Sequence, residues 1–285
     1  MRPDAPFFPV HLYLILLLLL SCVIALSGQE SADSFKENQA RNAIGIYWGF
    51  HSNWSQDLVF SPMIYKGNSF TNLQLQYQRN TAKGLHRIGL AFDKMEASST
   101  NLIQFTSFNE TISRIPSEIL QVNINYGYAR EITTGKKLNI HLGALLETKL
   151  HHTKYNFGVS DDEGYILMNS LKPWLMAAYD LDVKNGIQVE LLFPILSFVS
   201  RPEYAIVDNN EIQNEGSDLA FLYQKGELAS FGALLAKRIA LSYTRTLSPR
   251  TQFSFGYTLD YLKYKKPEAI RVLKNNFDAG LTFSF

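Results

Sequence analysis

Beyond its first thirty residues the chain alternates apolar and polar side chains with a period of two, segment after segment. That periodicity belongs to strands with one face in an apolar medium and the other in a polar one. In the last segment Phe277, Ala279, Leu281, Phe283 and Phe285 share one face, against Asp278, Gly280, Thr282 and Ser284. In the segment before it Phe253, Phe255, Tyr257, Leu259 and Tyr261 oppose Ser254, Gly256, Thr258 and Asp260. Shorter alternating runs lie at 73–77, 88–92, 120–126, 138–142, 187–191 and 239–244, with 175–181 ahead of the turn at 183–186. A run at 58–65 is expected to pair through Lys66-Gly67-Asn68. The aromatic run 44–51 fits an early part of the first strand, a separate strand or a periplasmic segment. About ten strands result, with eight or twelve as alternatives, because single-chain bacterial barrels have even strand counts.

The connectors alternate in length. Tight turns fall near 80–84, 132–137, 183–186 and 247–250, and longer polar loops near 97–116, 151–168 and 201–231. Membrane barrels combine short turns at the periplasmic rim with long outer loops. A soluble β-sandwich, the alternative fold, places turn signals at regular spacing without that asymmetry. The pattern therefore predicts an all-β fold, a membrane-spanning antiparallel up-and-down β-barrel over 43–285. Tyr77, Tyr126, Tyr128, Tyr179, Tyr243, Phe283 and Phe285 all precede a tight turn or the chain end in the apolar phase. They are expected to form an aromatic girdle at headgroup level.

Aromatic residues make up 13 % of the chain, yet after residue 30 no apolar run reaches the length of a membrane helix. The net charge of +1 removes any bulk electrostatic argument for nucleic acid. Residues 12–26 (LYLILLLLLSCVIAL) follow Arg2 and precede Ser27-Gly28, the order of a secretory signal peptide. Residues 1–28 are expected to be cleaved and 29–42 to form a flexible periplasmic segment. Cys22 is the single cysteine, and Leu19-Leu20-Ser21-Cys22 offers lipidation as an alternative. After cleavage the chain has no thiol, so hydrogen bonding and packing must hold it together.

If the apolar phase faces lipid, Arg87, Asp93, His141, Glu147, Asp180, Glu190, Arg238, Asp260 and Asp278 face the lumen, with Gln74, Gln76, Gln121, Asn123, Asn125 and Lys172. A ten-stranded barrel is close to the size that side chains fill, so a plug of ion pairs is expected, with a narrow solute path as the sharper reading. No GxSxG, HExxH, P-loop or CxxC pattern occurs. His141 and Glu147 share a phase, but six residues of strand hold them about 20 Å apart. His151-His152 followed by Asp161-Asp162-Glu163 offers cation ligands in what reads as a solvated loop. No enzyme activity, cofactor or resident metal is expected. The 201–230 region carries six acids against Arg201 and Lys225, a net −4, and suits either a solvated lid or contact with a surface partner.

The leader, the repeated hairpins and the ending FDAGLTFSF together resemble outer-membrane β-barrel proteins of Gram-negative bacteria. Gln29 after the leader and the short aromatic strands are similar to small barrels of Bacteroidota. The resemblance implies export to the outer membrane, contact with outer-membrane lipid and lipopolysaccharide, and recognition of Phe283 and Phe285 by the barrel assembly machinery. The class holds porins, adhesins, lipid-modifying enzymes and proteases. The expected role is structural or surface interaction, with a narrow solute or lipid transport barrel and a lipid-modifying or proteolytic barrel enzyme as alternatives.

Overall fold

The computed structural model describes residues 42–285 apart from 82–83, 101–104, 108–109, 113–114, 135–136, 157–160, 203–222 and 224–225. The leader and residues 29–41 lie outside them, as does most of the acidic 201–231 region. The described strands are β1 (Asn42–Asp57), β2 (Ser61–Thr81), β3 (Gly84–Ser99), β4 (Phe105–Ser107), β5 (Glu110–Ile112), β6 (Pro116–Thr134), β7 (Leu138–Asn156), β8 (Asp161–Asp180), β9 (Asn185–Leu192), β10 (Leu196–Ser200), β11 (Gly226–Ala229), β12 (Leu234–Ser248), β13 (Thr251–Tyr264) and β14 (Ile270–Ser284).

Ten of these strands close an antiparallel ring in the order β1-β2-β3-β6-β7-β8-β9-β12-β13-β14, and β14 returns to β1. The closing seam runs unbroken from Ala43↔Ser284 to Asp57↔Ile270. Asn42 and Phe285 extend it by exchanging backbone hydrogen bonds of 3.1 and 2.8 Å. The seam leaves no free strand edge in the ring, which satisfies backbone groups where no water can. Two outer strands continue the wall at the far end, where β10 pairs with the upper part of β8, and β11 with β10.

These outer strands are continuations of interrupted barrel strands. Leu192 pairs with Trp174 and Leu196 with Leu171, so four steps on one side match three on the other. Pro194, which has no N–H to give a ladder, sits at that break. Opposite it, Ser230 accepts from the amides of Ala233 and Leu234, folding the β11–β12 junction into a turn.

Following the register from Trp174 through Leu192, Arg238, Asp260, Lys274, Asn53, Gly67, Ala97, Ser117 and Tyr155 returns to β8 at Asp162, a stagger of 12 residues (174 − 162). With strands about 4.8 Å apart and about 3.3 Å of rise per residue, that stagger tilts the strands by about 40°. A tilted strand crosses the hydrocarbon in about 9–11 residues. β2, β6, β7 and β8 have 21, 19, 19 and 20 residues. The barrel is therefore much longer than one membrane crossing, with the excess on the side away from the tight turns.

That projection explains where sequence and structure differ. Lys66-Gly67-Asn68 is not a turn: β1 ends at Asp57, the turn is Leu58–Phe60, and β2 runs straight through residues 66–68. Gly67 is needed there because a Cβ would lie 2.5 Å from the Glu96 carbonyl oxygen on β3. Residues 97–116 and 151–168 are also not simple loops: strand accounts for 97–99, 151–156 and 161–168, and β4 and β5 form a small hairpin of their own. The physical cause is a reversal of the inward face. In the projecting half the barrel interior is apolar, with one cluster of Phe60, Tyr65, Met95, Ala97, Ile119 and Tyr155 and another including Ile166, Met168, Leu262, Tyr264, Ile270 and Val272. With apolar residues inside and mixed residues outside, the polarity contrast that marks a membrane strand disappears. A third apolar cluster, Leu85, Ala129, Leu145, Trp174, Met176 and Leu192, fills the end near the tight turns.

Candidate functional site

Between the apolar layers lies a belt of charged and amide side chains that crosses the lumen. It is built by alternation alone, because every second residue of each strand points inward. On β7, Glu147, Lys149 and His151 are such neighbours, all buried. Glu147 accepts from Arg238 Nη1 at 2.9 Å, from Asn123 Nδ2 at 2.7 Å and from Lys172. Asp260 accepts from Lys149 Nζ at 3.0 Å and Arg238 Nη2 at 2.9 Å. Lys149 and Asp260 stand on β7 and β13, well separated around the ring, so this contact spans the interior.

A second group starts at Asp93. Lys274 Nζ donates to Asp93 Oδ2 at 2.8 Å and to Gln121 Oε1 at 3.1 Å, and His51 Nε2 lies 2.9 Å from the same carboxylate oxygen. Gln121 Nε2 is 2.9 Å from His151 Nδ1, whose Nε2 is 3.1 Å from Thr153 Oγ1. A third is the bidentate Arg87–Glu190 pair at 2.6 and 2.8 Å, joining β3 to β9. The Arg87 guanidinium also lies 4.1 Å from the Trp174 ring centroid, so it caps the lower apolar layer. Asn72 Nδ2 donates to Asn276 Oδ1 at 2.7 Å, and Asn276 Nδ2 to Asp278 Oδ2 at 2.9 Å.

Each inward carboxylate named above except Asp278 has a cationic partner, which is the arrangement that makes burial of charge tolerable. Ion pairs across the lumen join non-adjacent strands, among them Arg87–Glu190, Lys149–Asp260, Lys274–Asp93 and Arg238–Glu147.

Of the residues singled out in the sequence, Arg87, Asp93, Glu147, Glu190, Arg238 and Asp260 come together in this belt. His141 sits half-buried near the tight-turn end, apart from it. Asp278 is half-buried and meets only the Asn276 amide among the described residues. Asp180 corrects its expectation: it keeps the inward phase but ends β8 at the rim, where it is exposed.

Tyr126, Tyr128 and Tyr179 are exposed in the outward phase, as are Phe283 and Phe285. Tyr77 and Tyr243 are more covered, and the Tyr77 hydroxyl donates to Asn42 Oδ1 at 2.8 Å. Phe283, Ile44, Tyr77, Ile88 and Tyr126 occupy one hydrogen-bonded row across five strands.

His51, Lys149, Lys274 and Asn276 were not singled out, and His151 was read only as a candidate cation ligand in a loop. Lys149 and His151 follow Glu147 by two and four residues, and Asn276 and Lys274 precede Asp278 by two and four. Extending the alternation along each strand would have found them. His151 and His152 cannot share a cation, because neighbours in a strand point to opposite faces. His151 is buried inside, whereas His152 Nε2 lies 3.2 Å from Glu163 Oε2 on the outer surface. No group of three metal-ligating side chains occurs among the described residues.

No protein-family model and no curated protein sequence matches the chain. Solved structures do match in shape. The outer membrane protease OmpT from Escherichia coli superposes with a TM-score of 0.54 at 7 % identity, over 90 % of this chain and 99 % of that one. The translocator domain of the autotransporter NalP from Neisseria meningitidis gives 0.43 at 8 % identity, over 99 % and 100 %. An outer membrane channel from Pseudomonas putida F1 gives 0.38 at 9 % identity, over 90 % and 100 %. The chain has the fold of an outer-membrane β-barrel. At such identities the likeness extends to the fold alone, and the role must be argued from the belt.

Proposed function

We propose that the protein is a closed barrel of the Gram-negative outer membrane with a structural or surface-interaction role, neither a channel nor an enzyme. The observation that carries this reading is the belt itself. Ion pairs link β3 to β9, β7 to β13 and β14 to β3, and apolar clusters pack the lumen above and below them. A solute path would have to break the buried charge pairs of the belt and displace the apolar layers above and below it. The outward apolar rows near the tight turns and the aromatic residues among them support residence in a membrane. The strand length beyond the membrane supports presentation of the far end to partners outside the cell, since loops on a rigid scaffold are the usual place for recognition. The narrower reading as a small barrel of the Bacteroidota type is supported only by Gln29 and strand style.

The test is fractionation combined with liposome swelling. The folded chain should sediment with outer membranes and migrate faster on gels before boiling than after. Vesicles containing it should not swell in arabinose. Rapid swelling, set against a general porin as positive control, would replace the closed-barrel reading with the transport one.

A further inference from the structure

Among the described residues, three cations on the outer surface of β12, β13 and β14 have no counterion. Arg238, Leu262 and Val272 point inward, so Lys237, Lys263 and Arg271 point outward. Lys263 stands directly opposite Leu235 on one side and Arg271 on the other, and Lys237 opposite Tyr261. Lys263 and Arg271 are thus a like-charge cross-strand pair, an arrangement that costs stability on its own. Neither they nor Lys237 form an ion pair among the described residues. Nearby acids among the described residues are committed elsewhere: Glu227 to Lys266, and Asp57 to Arg201. Glu268 lies in the exposed β13–β14 connector and makes no ion pair with them.

The level of these cations gives them a meaning. Going down the outward face of β14 from Arg271, the next residues are Leu273, Asn275, Phe277, Ala279, Leu281 and Phe283, a band as long as one membrane crossing. Tyr261 and Trp54 flank Leu273 in its row, as interfacial aromatics do, and Lys66 Nζ sits 3.8 Å from the Trp54 ring centroid. The basic cluster therefore begins where the apolar band ends, on the side away from the tight turns. On β3 and β6 outward charges at a comparable height neutralise each other, as Lys94 and Glu118 do at 3.2 Å.

We propose that Lys237, Lys263 and Arg271 form a binding site for the phosphorylated headgroup of an outer-leaflet glycolipid. Its acyl chains would lie along Ile239, Leu259, Tyr261, Leu273 and Phe277. The phosphates supply the missing counterions, and the apolar rows below supply the contact that a free anion lacks. This inference rests on the outer-membrane reading above.

The test uses the full chain folded in detergent micelles, titrated with diphosphoryl lipid A and with dephosphorylated lipid A. At about 1 kcal/mol per basic side chain near an anionic headgroup, the phosphorylated lipid should bind at least about tenfold more tightly. The triple variant Lys237→Gln/Lys263→Gln/Arg271→Gln should lose that preference, and Lys94→Gln/Glu118→Gln should keep it. If the triple variant does not fold, as judged by heat-modifiable migration, Arg271→Gln alone should show a reduced preference. Equal binding of the two lipids to the wild-type chain, or an unchanged preference in the variants, would overturn the site. So would displacement of the lipid by millimolar inorganic phosphate. Phosphate-dependent binding by a chain that fractionates outside the outer membrane would overturn the location and leave the site standing.

Discussion

Glu147→Gln is expected to destabilise the folded barrel by about 3–5 kcal/mol, the cost of breaking a buried ion pair from one side. Its side chain is 1 % exposed and is held by Arg238, Lys172 and Asn123. Glutamine keeps the shape and one acceptor but removes the charge. Lys172 then loses its only ion pair among the described residues, and Arg238 keeps only Asp260, which already serves Lys149. The loss should appear as a lower urea midpoint for conversion from the fast-migrating folded form to the slow unfolded one, with an unchanged slope. Adding Lys172→Met should restore part of it, because the uncompensated cation is then gone. A single variant with wild-type stability would show that water or local relaxation screens the belt, and that it contributes little to closing the lumen.

Trp174→Ala should cost a similar amount, about 3–5 kcal/mol, through a different mechanism. The indole is fully buried and anchors the apolar layer near the tight turns, against Leu85, Ala129, Leu145, Met176 and Leu192. Gly127 on β6 makes room for it, since a Cβ there would lie 2.9 Å from the indole Cζ3. Removing the ring leaves a cavity and takes the aromatic face away from Arg87. Trp174→Phe, which restores a ring but not the full volume, should recover more than half of the loss. Equal destabilisation by Phe and Ala would mean that the indole N–H, rather than packing, holds the site.

These two residues show what the sequence made legible. Glu147 stood out because an acid in the polar phase of an alternating strand has only the lumen to face. Trp174 did not, because an inward aromatic contradicts the rule that apolar residues face lipid, and nothing local marks the exception. The same reversal hid the projecting half: Tyr65, Ile119, Tyr155 and Ile166 point inward there, and 151–168 read as a loop. Strand count, direction and the four tight turns followed from period and turn chemistry, which act locally. The partners within the belt did not. Lys274 meets Asp93 across 181 residues of sequence, and only the stagger of the closed ring sets those two at one height. The like charges at Lys263 and Arg271 also needed register, since eight positions of chain and a hairpin separate these two residues, which cross-strand pairing sets opposite each other.

The claim that the belt closes the lumen is tested most directly by single-channel recording in planar bilayers. The wild-type barrel should insert without resolvable current, and Arg87→Ala/Lys149→Ala/Glu190→Ala/Asp260→Ala, which removes two of the cross-lumen links, should conduct. Steady, ion-selective current through the wild-type protein would contradict the account.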